Sequence, residues 1–568
     1  MAALTPSYIS QAHHRDMPRE VPVIARRLLV PALLLAFATV ASARQRPSDH
    51  GSIVIVMGGE PSTPVPTLLG MKANDDVSEL MFLRLARPGL GKSVSDEHGY
   101  EAELARSWSR RDSLTLVFEL DPRARWHDGV PVTARDIVWS FERMRDSTVD
   151  PDRALLLRHI TTVTAENDHR VVIRFRRAYP EQFYDATYQV QPLPAHLVDT
   201  IPPARFAGSA FVQHPIGNGP YRWSRREPGR QLELVANPGF FLGAPKLDRV
   251  VILFSRDPDA RMNMLLDGSV DAYEGMSAIS GPKRLEGNPA YRIESQPSFD
   301  LMYLLFNQRA YGDRSRPHPI LADPDVRRAL AMGINRVPVL RSTYGAYSQG
   351  ADAPVTGAHW TRSLVPAGIG YDPAGARALL QRRGWIDHDG DGIRDKDGVP
   401  LNLRLNLYSG SAERGLMAPQ IQEQLRQLGV GIEIQRLEGA VWFARRNKGE
   451  FDIDFSGTTM DPSPNGIVQS WTCAGRSGTN VGQYCDPAVD SLIERAMTST
   501  RNPESNWRAA YAALQRDVPA IFLASPRALF AVHTRYRNVT IRPESFYGSI
   551  WRWSVDPRRR IARDGPGA

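Results

Sequence analysis

The sequence predicts an α/β fold in two lobes, with mixed sheets covered by helices on both faces. Three observations carry that expectation. Between Leu401 and Phe455 the strand and helix patterns alternate as βαβαβ, which requires a partly parallel sheet. From Leu104 to Arg145 a strand, a tight turn and a helix follow one another in a second unit. The chain has 568 residues, 42% hydrophobic and 23% charged, an ordinary globular composition at a length suited to two or more domains.

In chain order, Arg26-Arg27 precedes an apolar run of thirteen residues, Leu28 to Val40, and then Ala41-Ser42-Ala43. Basic region, short apolar core and small-residue cleavage site predict a secretory signal over 1–43; a membrane-spanning helix needs roughly 20 apolar residues. No cysteine lies near Ala43 to take a lipid anchor. A protein released in that way needs an outer membrane to retain it, which points to a Gram-negative periplasm. Pro61, Pro64 and Pro66 mark an early loop.

Leu114, Leu116, Phe118 and Leu120 alternate as a half-buried strand, and Asp128-Gly129 supplies a turn. Thr133 and Asp136 form a capping-box start, after which Ile137, Phe141 and Met144 recur at helical spacing. Asp323-Pro324, Asp372-Pro373, Asp486-Pro487 and Asn502-Pro503 each place a capping side chain before a proline suited to a first helical turn. In the βαβαβ unit, Leu401, Leu403, Leu405 and Leu407 form a strand. Met417, Ile421, Leu425 and Leu428 form a helical stripe ended by Gly429. Val430, Ile432 and Ile434 make the next strand, Val441 to Lys448 a short helix, and Phe451, Ile453 and Phe455 the last strand.

Several strings resemble those of the family 5 extracellular solute-binding proteins, the oligopeptide, dipeptide and nickel receptors of ABC importers. The segment LARSWSRRDSLTLVFELDPRARWHDGVPVTARDIVWS is similar to that family's signature, departing from it at Arg125, where many members carry a glycine. HPIGNGPY (His214 to Tyr221), NPGFFLGAPKL (Asn237 to Leu247), YLLFN with DPDVRRALAMGINR, and the helix Asp372 to Trp385 resemble further family motifs in the same order. The resemblance runs from about Ile53 to about Val539.

The resemblance implies a two-lobed periplasmic binding protein of type II in its large three-part variant. One discontinuous lobe comprises 44–84, 213–310 and 525–568, an inserted subdomain 85–212, and the second lobe 311–524. Hinge closure would bury a ligand between the lobes. The implied function is capture of a di- or oligopeptide and delivery to an inner-membrane permease, with the chain acting as a monomer. A nickel chelate, an opine or an oligosaccharide are alternative ligands, since a scaffold constrains its ligand weakly. A secreted hydrolase is the competing class, but G-x-S-x-G and H-E-x-x-H motifs are absent and the 13 histidines are scattered. His127, in the HDG turn, is expected to serve backbone geometry. The net charge of +8 has no basic cluster interleaved with aromatics, which argues against nucleic acid. Arg558, Arg559 and Arg560 read as a solvated terminus.

Three sets of residues are singled out. Cys473 and Cys485 are the only cysteines; an even count in an exported chain favours a disulfide, and dipeptide-receptor relatives show a similar loop. Asp387, Asp389, Asp391 and Asp395 alternate as in a calcium loop, although Gly398 stands where an EF-hand places its bidentate glutamate. No cofactor is required, and a structural calcium is the possible exception. Last, the loop after Phe455 should face the ligand cleft. Gly457 permits close backbone approach, and the backbones of Thr459 and Met460 are expected to pair with an extended peptide. Asp461 stands about where relatives with a GW-x-x-D loop carry the aspartate that grips the peptide ammonium, although Thr458 replaces the tryptophan. The other reading of Asp461 is a cap on the turn before Pro462.

Overall fold

The computed structural model describes residues 51–66 and 72–565; the expected export signal, 1–43, lies outside the described residues. Its largest sheet has seven strands in the order Tyr291–Pro297, Arg527–His533, Ala272–Glu274, Gly51–Met57, Leu247–Phe254, Gln231–Ala236 and Tyr221–Glu227. Gly51–Met57 runs parallel to both neighbours, and the other pairings are antiparallel.

A second sheet of five strands is ordered Gly431–Leu437, Asn402–Tyr408, Ile453–Thr459, Asp300–Phe306 and Ala520–Ala524. The first three are parallel, as the βαβαβ pattern requires, with the helices Ala412–Arg426 and Gly439–Lys448 as crossovers. Asp300–Phe306 is antiparallel to both its neighbours. The chain therefore passes from the first sheet to the second at Ser298–Phe299, ahead of residue 311. The run Leu301 to Phe306 explains the place: nearly all apolar, it suits a central strand covered on both faces. The return crossing is Ser525–Pro526, between Ala520–Ala524 and Arg527–His533, and Ser298 Oγ donates to the Pro526 carbonyl at 2.6 Å.

A third, antiparallel sheet of four strands holds the signature segment, in the order Ala105–Asp112, Thr115–Leu120, Arg170–Phe175 and Ile160–Asn167. In Thr115–Leu120 the alternate residues Thr115 and Val117 are buried as well as Leu116, Phe118 and Leu120, Val117 standing beside its buried cross-strand partner Val172. The helix Ala134–Arg145 buries Ile137, Phe141 and Met144 as its spacing predicts. Its capping residue does more than cap. Asp136 accepts from the Thr133 N–H at 2.8 Å, from Trp126 Nε1 at 3.3 Å and from the Ala195 N–H at 2.8 Å.

The HDG and GNG strings prove to be one joint. His127 Nδ1 accepts from the Gly217 N–H at 3.1 Å while Nε2 lies 3.1 Å from the Gly219 carbonyl. Burial pushes the His127 pKa down to about 4, so the neutral ring is a fixed strut. A Cβ on Gly217 would stand 2.0 Å from the Met81 carbonyl oxygen, so that position admits only glycine.

Asp323, Asp372 and Asp486 cap their helices with side-chain hydrogen bonds. Asn502 does not: it adopts a left-handed backbone at φ 51° and makes no side-chain cap. Asp150-Pro151 and Asp257-Pro258 start two further helices by the same device. Arg558 to Arg560 are exposed, but the chain beyond them docks. Asp564 is buried and accepts from the Ser52 N–H at 3.1 Å.

Candidate functional site

Parallel strands present their carboxyl ends to a ligand, and in the second sheet those ends lie near Tyr408, Leu437 and Thr459. Ile453–Thr459 pairs with Asn402–Tyr408 only as far as Phe455, but with Asp300–Phe306 through Thr459. One edge of Ser456 to Thr459 is thus unpaired. The Met460 N–H donates to the Phe299 carbonyl at 2.8 Å, on the paired side. By the alternation of an antiparallel ladder, Gly457 and Thr459 direct their backbone groups to the unpaired edge. Met460 has therefore spent its donor inside the sheet, and Gly457 with Thr459 carries the free edge.

Arg414, in the first turn of Ala412–Arg426, lies over the face of the sheet at Gly457. It is buried, its guanidinium stands 5.5 Å from the Trp442 ring, and Nε and Nη1 have no hydrogen-bond partner among the described residues. Burial pulls its pKa below the usual guanidinium value, and the charge of Asp454 opposes that pull. Asp454 itself accepts from Trp442 Nε1 at 2.8 Å and lies 3.4 Å from Arg446 Nε. Sequence reasoning missed Arg414. Its one signal was a cation in the first turn of a helix, where the dipole disfavours it.

Asp461 is half-buried, and its backbone carbonyl accepts from His359 Nε2 at 2.8 Å. Its carboxylate makes no hydrogen bond to the turn at Pro462. Instead, its negative charge acts on Asp75, Tyr184 and Asp185, which come from two other parts of the chain. On that opposite wall Lys72 reaches Asp76 and Glu274, both at 2.7 Å. Burial pushes the Glu274 carboxyl up, and Lys72 draws it back. Asp75 keeps an accessible surface although protein surrounds it. That crowding, with the charges of Asp76 and Asp461, pushes its pKa up to about 7 against the pull of Arg153. Tyr184 is fully buried, stacked on Tyr188 with ring centroids 4.9 Å apart, and its hydroxyl has no hydrogen-bond partner among the described residues.

Beyond Asp461 the chain meets the segment that carries the third sheet. Ser463 Oγ donates to the buried Glu181 carboxylate, whose pKa burial pushes up to about 7. Arg158 pairs with Glu494 at 2.5 Å, and Asp152 accepts from the Thr479 N–H at 3.2 Å. Thr479 belongs to the loop closed by the Cys473–Cys485 disulfide, with Cα atoms 4.4 Å apart.

The aspartate loop gathers three of its four residues. Ligand atoms of Asp387, Asp389 and Asp391 lie within 4.8 Å of one another, all on exposed side chains. Asp395 is diverted to His388 Nδ1, 2.8 Å away. Asp387 accepts from the N–H groups of Gly390 and Gly392 at 2.8 and 3.1 Å, so the loop closes on its own donors. Three carboxylates fall short of the roughly six to eight oxygens calcium takes.

Residues 99–479 match the bacterial extracellular solute-binding proteins, family 5 middle. A putative ABC transporter peptide-binding protein of Brucella ovis is 28% identical over 414 residues, covering 71% of this chain and 73% of that protein. The oligopeptide-binding protein AppA from Bacillus subtilis, solved with a nonapeptide, superposes with a TM-score of 0.79 at 22% identity, covering 90% of this chain and 100% of AppA. NikZ from Campylobacter jejuni, solved with Ni(L-His), gives 0.78 at 23%, again covering 90% and 100%.

Proposed function

The chain belongs to the bacterial extracellular solute-binding proteins, family 5, and from that premise we propose that it is the periplasmic receptor of an ABC importer, capturing a di- or oligopeptide between two lobes. The observation that carries this reading is one strand edge with opposite charges at its two ends. Gly457 and Thr459 offer unpaired backbone groups to an extended chain. Asp461 stands beyond one end for an α-ammonium, and the guanidinium of Arg414, whose Nε and Nη1 lack partners among the described residues, lies over Gly457 at the other for a carboxylate. Residues 457 and 461 are on the order of 13 Å apart along an extended backbone, a span that suits a short peptide. The relatives support the same ligand: the Brucella ovis protein is described as peptide-binding, and AppA holds a nonapeptide.

The proposed layout assigns 44–84, 213–310 and 525–568 to one lobe, 85–212 to its insertion and 311–524 to the other, with the strand Asp300–Phe306 lent to the second lobe's sheet. The mature protein begins after a signal cleaved near Ala43, resides as a monomer in a Gram-negative periplasm, and hands its ligand to the inner-membrane permease. No helix among the described residues is long and apolar enough to cross a membrane. The reading is of a binding protein and not an enzyme, so the ligand leaves unchanged, and it requires no cofactor.

Native mass spectrometry of protein purified from the periplasm tests it. A co-purifying peptide of unaltered sequence is the expected result. A nickel chelate, an opine or an oligosaccharide in its place would replace the peptide reading, and turnover of an added peptide would overturn the binding-protein assignment.

A further inference from the structure

We propose that the cavity at the joint of the HDG and GNG strings binds a small organic anion, an aromatic body bearing a carboxylate or a phosphate. The cavity measures about 270 Å³ and is lined from two sides. One side is the turn from Arg125 to Gly129, and the other is Asn218 and Arg222 with the loop from Asn237 to Phe241. None of its lining comes from the five-stranded sheet or the helices around it. It is thus a different place from the strand edge at Gly457, and its occupancy is independent of the peptide reading.

The charge of the lining is one-sided. Arg125 and Arg222 both border the cavity, and among the described residues no aspartate or glutamate does. Arg125 is exposed, and its Nη1 reaches only the Gly129 carbonyl, at 3.4 Å. Arg222 is half-buried, and its Nε is sealed without a partner among the described residues. The carboxylates nearest in sequence are taken, Asp121 by Arg123 at 2.7 Å and Asp128 by His196 Nε2 at 2.8 Å. His127 adds no charge, since burial keeps its ring neutral. Two guanidinium groups on one small cavity without a counter-charge are each disfavoured, and an anion between them relieves both. Arg125 is also where the chain departs from the signature it resembles, so half of this charge is particular to this chain.

The remaining walls define the body of the ligand. Trp126 and Phe240 are buried and Phe241 is half-buried, and the Trp126 donor is already spent on Asp136 at 3.3 Å. Ring surface therefore lines what the guanidinium groups do not. Asn218, 1% exposed, adds donor character: its Oδ1 accepts from the Leu83 N–H at 2.8 Å, while Nδ2 has no partner among the described residues. Guanidinium groups pair with carboxylate or phosphate in their plane and lie flat on aromatic faces, so an aryl anion suits both kinds of wall.

Isothermal titration of the full mature protein with benzoate, phenyl phosphate and neutral benzamide tests the site. At least one of the two anions should bind about ten-fold tighter than benzamide or more, and the tighter anion identifies the head group. Arg125→Gly and Arg222→Gln should each weaken that binding about ten-fold or more, whereas Arg222→Lys, which keeps the charge, should retain the preference over benzamide. Melting midpoints of the variants at or above that of wild type show that they fold, since each neutral substitution removes a cation without a counter-charge. Benzamide bound as tightly as the anions, no binding of any of the three, or anion binding that survives both neutral substitutions would overturn the site. No peptide enters these titrations, so their outcome leaves the reading of the strand edge at Gly457 as it stands.

Discussion

A Cβ on Gly457 would stand 2.6 Å from Nη2 of Arg414 and 2.9 Å from Sδ of Met302, so the absence of a side chain at 457 is what lets the guanidinium lie over the face of the sheet beside the open strand edge. Gly457→Ala should therefore displace the end of a flexible side chain and leave the backbone where it is. The expected outcome is an affinity for a free peptide reduced about ten-fold or more, with a melting midpoint within a few degrees of wild type. Titration calorimetry paired with thermal melting checks it. Unaltered affinity would mean that Arg414 does not hold the ligand.

Asp461→Ala should weaken binding by roughly 2–4 kcal/mol, because a desolvated ammonium would lose its partner. N-acetylation of the peptide should cost wild type a similar amount and the variant almost nothing. Four titrations, two proteins against two peptides, measure the coupling. Equal affinities throughout would remove Asp461 from the site.

Glu181 couples stability to pH. Its folded pKa of about 7 lies above its ordinary value of 4.5, so the neutral carboxyl's contribution is fully present below about 4.5 and is lost as pH rises through 7. Asp75, raised to about 7 by crowding, has the same sign. His127, lowered to about 4, has the opposite sign up to its ordinary value of 6.5, so it is between pH 6.5 and pH 8 that the ligand-free protein should melt at progressively lower temperature, in the direction Glu181 and Asp75 dictate. Glu181→Gln should flatten that profile and melt above wild type at pH 8. A wild-type midpoint that rises over this range would contradict the assignment.

Peptide mapping without reductant should recover Cys473 and Cys485 in one crosslinked fragment. Replacing both with serine should cost about 3 kcal/mol for a loop this short, read from denaturant unfolding. Recovery of two alkylatable thiols from periplasmic protein would rule out the bond.

EDTA should leave the melting midpoint unchanged, since the loop containing Asp387, Asp389 and Asp391 is closed by its own N–H donors. A drop on chelation that calcium reverses would show that ligands from outside the loop complete a site.

What the sequence made legible was local. The capping box at Thr133, the aspartate-proline helix starts and the βαβαβ alternation each depend on residues a few positions apart, and each is found in place apart from Asn502. His127 and Gly217 stand 90 residues apart, and their joint is visible as two separate strings but not as a contact. Arg414, Asp75, Tyr184 and Glu181 were missed for the same reason. Nothing beside them in the chain explains them, because their partners arrive from other segments. The place of Asp300–Phe306 was missed because an apolar strand does not say which of two sheets it will complete.

Among the described residues only two short pieces of chain, Ser298–Phe299 and Ser525–Pro526, carry the backbone between the two large sheets, and the bond from Ser298 Oγ to the Pro526 carbonyl keeps them side by side. Two adjacent, tethered pivots define a line, and a body pivoting about a line has a single degree of freedom. Opening and shutting then reduce to one angle, and the identity of the cargo can influence that angle only through whether the shut position is reached. A transporter that measured this angle would learn that something is aboard without learning what. Discrimination among cargoes then lies in how readily each lets the two halves meet.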